Sequence, residues 1–524
     1  MNNTLNSKKP CLVQTAQGFT VFYDNKYLYS KYNPQKTVNQ IIQSLNILPQ
    51  TVILCVSPVL NYGLAELAEK LPEDCLMIGC ELDDNLFDFI QQNKNTAECN
   101  FSDIKNFSFV SKEELYNLGP LLIKERPGSF RRIIRVDFSA AAQLNTQTYD
   151  RVVENVTNAL MTWWANRVTL VKFGRKYCTN FFRNLSLLDK TSPIQKYFGA
   201  FEKPILVFGA GESAQDGIEH IKKTSREDYY ILCADTALQP LLANDIRPDG
   251  VFIEEAQNVI CKCFIGTQKS KPHIFAGLSS VHSITRYFEP QQISFFTTEF
   301  TQASFIDRFE KEGILPPKNQ PFGSVGITAW YYAMLFRRDN SVPVQTYGLD
   351  FAYSAGRTHT KGTMADNARF ISSSRIKPDA NYAAAFCEPA FKNDKMFTTP
   401  ILQRYSDLFM ALRQDSLAIT DDVQVFEENL VSSRNERLPE ALEGPDKISL
   451  FLNQEAAALE ELKDLFTGKK QLPQDQQQKE ITKLICEREY LYLHFPDGHK
   501  FQYTQSFLNR VRVEVDYFLK VLKR

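Results

Sequence analysis

At 524 residues, with 43% apolar and 23% charged side chains and a formal net charge of −1, the chain is an ordinary globular sequence too long for one core. The near-zero charge removes the electrostatic case for a nucleic-acid polymer or an anionic membrane as partner. No apolar run is long enough to span a membrane, and residues 1–18 lack the apolar core of a signal peptide.

The 11 cysteines are scattered without paired spacing, which reads as reduced thiols in the cytosol. Cys261-Lys-Cys263 is the single close pair, and neither a neighbouring His nor a second pair completes a zinc set, so no metal is expected.

In chain order, residues 11–30 alternate apolar and polar and predict a small hairpin. Pro34 opens a helix whose apolar face is Val38, Ile41, Ile42 and Leu45. TVILCVSP, YGLAELAEKL and CLMIGCEL then give strand, helix and strand, with Glu81 at the end of the second strand. That is a Rossmann-like outline, but the turn Ser57 to Asn61 has none of the glycines a pyrophosphate needs, so this lobe is read as structural. FRRIIRVDF is a further strand. From Tyr149 to about Leu188 the pattern is helical, and Trp163 and Trp164 fit a core better than a binding platform.

From residue 191 the chain alternates as α/β domains do. ILVFG, YYILCAD, DGVFIEE, HIFAGL, ISFFTT and VQTYGLD are the strands, and SAQDGIEHIKK and GITAWYYAMLFRR the principal helices. LPQDQQQK is read as a loop. NQEAAALEELKDLFTG, QQKEITKLICEREYLYLHF and LNRVRVEVDYFLKVLKR are charged amphipathic helices suited to acceptor binding or self-association. The expected organisation is an N-terminal α/β lobe (1–190), a central Rossmann-like domain (191–430) and a helical C-terminal domain (431–524).

The chemistry concentrates between Pro204 and Gly362. Gly209, Gly211 and Ala214 fit G-x-G-x-x-[G/A] after a strand, with Ser213 in the same turn and Asp235 ending the next strand. These glycines either approach a phosphate or merely let strand and helix pack closely. Gly323 and Ser324 open a second helix. Two such turns suit one compact phosphate better than an extended dinucleotide. Asp235, with Thr236, reads equally as a ribose or base ligand and as a helix N-cap. Asp350 ends the last clear strand and is followed by Tyr353, Arg357 and His359. Among six histidines, only His359 lies beside both an acid and a glycine-rich loop, which suits a general base.

FGAGES…CADTALQPLLANDIRPDGVFIEE and GSVGITAW…VQTYGLDFAYSAGRTHTKG resemble the central domain of bacterial motility accessory factors (Maf). These are flagellin-modifying proteins grouped with the 6-hydroxymethylpterin pyrophosphokinase MptE-like set. The resemblance extends over residues 20–430. It implies a sialyltransferase-type central domain and a cytoplasmic glycosyltransferase that moves a nonulosonic acid (pseudaminic, legionaminic or sialic type) from a CMP donor to Ser/Thr of flagellin. No cofactor is implied beyond that donor.

Carried over by resemblance, Gly209, Gly211 and Ser213 contact CMP, and Asp235 and Thr236 lie near the nucleotide. Gly323 and Ser324 lie near the phosphate or donor carboxylate. Tyr353 and Arg357 belong to the donor site, and His359, beside Asp350, faces the acceptor. The family turn reads Gly-x-Gly-Pro-Ser, whereas here Glu212 replaces the proline; either Glu212 faces solvent or the donor sits differently. Two other readings remain. One is diphosphate transfer from ATP–Mg²⁺ to a hydroxymethylpterin, using Asp235, Glu254 and Asp350. The other is a non-catalytic factor that binds flagellin.

Overall fold

A computed structural model of the chain describes residues 9–301, 304–354, 357–376, 391–393, 396–417 and 446–523. Residues 1–8, Ala355 and Gly356 of the histidine loop, Cys387 and the expected boundary at 430/431 lie outside the described residues. The chain divides into two compact units, Met1–Lys172 with Phe495–Lys500, and Phe173–His494 with Phe501–Arg524. No helix among the described residues is long and apolar enough to cross a membrane.

The first unit opens with an antiparallel sheet of β1 (Cys11–Thr15), β2 (Gly18–Tyr23) and β3 (Lys26–Tyr27). The helix Pro34–Ser44 follows, with Asn33 accepting from Lys36 N–H as its N-cap. A parallel sheet is built from β4 (Thr51–Val56), β5 (Leu76–Cys80), β6 (Phe107–Phe109) and β7 (Arg132–Asp137), in the order β6-β5-β4-β7. This is the Rossmann half order, and β4 is buried along its whole length, which is why it reads as an unbroken apolar run.

Where such a sheet would take a ligand, the Tyr149 hydroxyl accepts from Leu82 N–H at 3.0 Å and lies 3.3 Å from Ser57 Oγ and 3.4 Å from Glu81 Oε1. Ser57 itself has φ +50. A buried tyrosine thus fills the crevice of this sheet.

The second unit carries a seven-stranded parallel sheet of β8 (Ile205–Phe208), β9 (Tyr230–Ala234), β10 (Gly250–Ile253), β11 (His273–Gly277), β12 (Ile293–Thr298), β13 (Lys318–Asn319) and β14 (Val344–Tyr347). Its order is β13-β12-β11-β10-β9-β8-β14, so the chain turns back on itself between β8 and β14. The crevice outside the carboxyl ends of the strands at such a switch point is where α/β sheets bind ligands.

Ile205 and Val207 pack with the helix Val325–Phe336 in one core, while Phe208 meets Gly217 of the helix Ala214–Lys223. Alternate β8 side chains point to opposite faces, so the two helices cover opposite sides of the sheet. The Val325–Phe336 helix is apolar almost all round and correspondingly buried.

The end of the helix Thr146–Leu185 buttresses the strand-end loops of this unit. The Asn180 amide donates to the carbonyls of Ala256 and Ser279, both at 3.1 Å, and that of Asn184 to Leu278 and Ser280 at 2.9 and 3.0 Å. The helices Asp446–Thr467, Gln474–Cys486 and Gln505–Leu522 make up the helical C-terminal region.

Two local expectations fail there. LPQDQQQK is not a loop but opens the Gln474–Cys486 helix, because Pro473 sits at its N-cap, Asp475 lies in its first turn and glutamine is a good helix former. The next segment does not stay helical, since the helix ends at Cys486 and only a short 3₁₀ turn, Glu489–Leu491, follows. Buried at that turn, Tyr490 and Arg488 both meet Glu455.

Candidate functional site

β8 runs into Gly209 and β14 into Gly348, and the two strand ends touch through main chain. Gly209 N–H donates to Tyr347 C=O at 2.7 Å, and Gly211 N–H to Gly348 C=O at 2.8 Å. A Cβ on Gly209 would stand 2.3 Å from the Gly348 oxygen. One on Gly348, whose φ is +70, would stand 2.3 Å from the Gly209 oxygen. Only glycine fits either position.

The next residues complete the knot. Asp350 accepts from Ser213 N–H at 2.9 Å and from the Ser213 hydroxyl, and that hydroxyl in turn accepts from Gly348 N–H at 2.8 Å. The glycine turn is therefore stitched to the end of β14, with the Ser213 and Gly211 donors already engaged.

Over this knot lies a cavity of about 230 Å³. Gly209, Ala210, Gly211, Asp235, Thr236, Ser324, Val325, Gly326, Tyr353 and His359 all line it. Ser213, Gly323, Asp350 and Arg357 are not among the residues that line it. Gly323, at φ +76, makes the turn into the Val325–Phe336 helix against the Tyr405 ring. The Arg357 amide donates to Ser354 C=O at 3.1 Å.

Among the described residues no Lys or Arg lines the cavity. Donors for an anion come instead from the start of the Val325–Phe336 helix. Among the described residues the amides of Ser324, Val325 and Gly326 have no hydrogen-bond partner, and Ser324, the N-cap, makes no capping bond.

Asp235 is 3% exposed. Its Oδ1 accepts from Thr236 N–H at 2.6 Å and from the Thr236 hydroxyl at 2.9 Å, while Oδ2 has no partner among the described residues. Burial, reinforced by Glu255 and Glu254, pushes its pKa up to about 7 against the hydrogen bonds from Thr236.

Glu254 ends the neighbouring strand, but its carboxylate accepts from the Thr298 hydroxyl and from the Thr328 hydroxyl at 2.6 Å. Asp235 thus keeps a free oxygen, while Glu254 and Asp350 are held by hydroxyls. Among the described residues no three His, Cys, Asp or Glu side chains form a group able to hold a metal ion.

His359 also lines the cavity. Its Nδ1 is 3.1 Å from Thr358 Oγ1, and the next amide, Thr360 N–H, donates to Ala210 C=O at 2.8 Å. Burial and the nearby Arg369 lower its pKa, with Asp366 opposing, so the imidazole is neutral at neutral pH.

Residues 179–356, which contain most of this site, match a family model described as 6-hydroxymethylpterin diphosphokinase MptE-like. Across 99% of its length the chain is 30% identical to an uncharacterized protein of Treponema pallidum (strain Nichols), covering 96% of that protein. The two chains belong to one family. In this chain the MptE-like domain spans the knot, the free Asp235 oxygen and the start of the Val325–Phe336 helix. A Maf glycosyltransferase structure from Magnetospirillum magneticum AMB-1 aligns with 99% of the chain and 92% of its own, at 13% identity and a TM-score of 0.46.

Some of the site had no signal in the sequence read alone. The donors of Val325 and Gly326 belong to the backbone, and the partner that engages Ser213 is 137 residues away. Asn180 and Asn184 did carry one: two amides one helical turn apart on an otherwise apolar face.

Proposed function

We propose that the MptE-like domain is a cytoplasmic glycosyltransferase that moves a nonulosonic acid from a CMP donor to a Ser or Thr hydroxyl of flagellin. The observation that carries this reading is that one cavity is lined by the glycine turn, by Asp235 and by His359. The phosphate of CMP sits at the amides of Ser324, Val325 and Gly326, where a helix start offers partial positive charge. Asp235 and Thr236 meet the ribose or base.

With Nδ1–H donating to Thr358, His359 Nε2 carries the lone pair that takes the proton of the acceptor hydroxyl. That oxygen bonds to the anomeric carbon while the bond from this carbon to the phosphate oxygen breaks. CMP leaves as a monophosphate, its added charge met by the helix amides.

The diphosphokinase reading asks Asp235, Glu254 and Asp350 to gather Mg²⁺ around ATP. Two of those carboxylates already accept hydroxyl donors, and among the described residues no Lys or Arg lines the cavity to meet a triphosphate. Thermal shift separates the two, since a ligand that binds only the folded state raises Tm. CMP raising Tm where ATP–Mg²⁺ does not supports the transferase. The reverse overturns it and favours the diphosphokinase.

A further inference from the structure

Glu212 lies inside the glycine turn yet outside the cavity wall. Its carboxylate accepts from the Ser354 hydroxyl, on the loop that carries His359. The same loop returns to the turn beyond the histidine, through Thr360 N–H to Ala210 C=O at 2.8 Å. On its far side Tyr353 exchanges main-chain bonds with Phe397, at 2.9 and 2.7 Å, which fixes the residue next to Ser354. His359 therefore hangs between two attachments to one turn, one made by backbone and one by a side-chain pair.

We propose that Glu212 is a positioning residue: clasped by the Ser354 hydroxyl, its carboxylate holds the His359 loop against the glycine turn and keeps the imidazole in place at the cavity. The clasp also accounts for a carboxylate beside an anion site. Turned toward Ser354, it lies away from the cavity and does not oppose a bound phosphate. The catalytic consequence rests on the transferase reading; the clasp does not.

The test is hydrogen exchange of peptides covering 350–362 in the full-length, ligand-free protein, together with steady-state transfer from a CMP sugar. Glu212→Ala and Ser354→Ala should each speed exchange about five-fold, the scale of one ordinary hydrogen bond. The double variant should be no faster than either single one. Glu212→Gln, whose amide oxygen still accepts from Ser354, should behave as wild type. In transfer, the alanine variants should lose about five-fold in kcat with the donor KM unchanged.

Unchanged exchange, additive effects or a glutamine variant that behaves like alanine overturns the proposal. If Glu212→Ala does not fold, Ser354→Ala carries the same comparison. If exchange responds as expected but no CMP sugar is transferred, the clasp stands and the transferase reading falls.

Discussion

Replacing Asp235 with asparagine keeps the side chain's shape, and its acceptor for Thr236, while removing its charge. Asp235 is 3% exposed and its pKa is raised from 3.8 to about 7 by burial, with Glu255 and Glu254 adding to the shift. For an acid raised in this way, the stability it contributes is fully present below its unfolded pKa and is lost as pH climbs to its folded pKa. The window is therefore pH 4 to 7.

A shift of roughly three units at about 1.4 kcal/mol each costs about 4 kcal/mol by pH 8, against about 2 kcal/mol already incurred at pH 5. Asp235→Asn escapes this cost. Its unfolding free energy relative to wild type should therefore rise by about 2 kcal/mol between pH 5 and pH 8. Urea denaturation of both proteins across that range measures the difference, and other titrating groups largely cancel in it. Parallel stability curves would mean that Asp235 is ionised and solvated in the folded protein, and the electrostatic account of the crevice would be wrong.

His359→Ala should lower transfer at least about 100-fold while CMP affinity stays within about two-fold; unchanged turnover would remove the histidine from the base role. Val325→Pro deletes one free amide at the first helical position, where proline is tolerated, and Ser324 before it already has the extended backbone that a proline requires (φ −131, ψ 128). CMP affinity measured by calorimetry should fall about ten-fold with that of cytidine unaltered, the loss of one charge-assisted hydrogen bond. Equal losses for both ligands would mean that the helix start does not hold the phosphate. Gly348→Ala, at φ +70 and with its Cβ 2.3 Å from a carbonyl oxygen, should cost about 3 kcal/mol or more in urea denaturation. A cost below about 1 kcal/mol would show that the strand ends can part.

The strands β8, β9 and β10 were legible because a parallel strand buried on both faces is an unbroken apolar run ended by Gly or an acid. His359 and the glycine turn were legible as a pair of signals, though not as neighbours. What the residues could not disclose is that β14 returns beside β8. That pairing is long-range, and it decides that Asp350 meets Ser213. Once the two strands lie together, Asp350 accepts hydroxyl and amide donors and does not line the cavity, whereas Asp235, ambiguous between cap and ligand, lines it with one oxygen unpartnered among the described residues. The glutamine-rich stretch failed for a simpler reason: its composition suggests a loop, but helix propensity and a proline start outweighed it.

The stitch between Ser213 and Asp350 joins residues 137 apart in sequence. On the ribosome, β8 emerges long before the strand that will flank it, and its outer edge stays open while the rest of the sheet is assembled on the other side. An uncovered edge of this kind invites mispairing, and closing so distant a contact is slow. A nascent chain halted before Val344 would hold six parallel strands and no completed crevice, so the crevice at the switch point is finished late in synthesis and all at once.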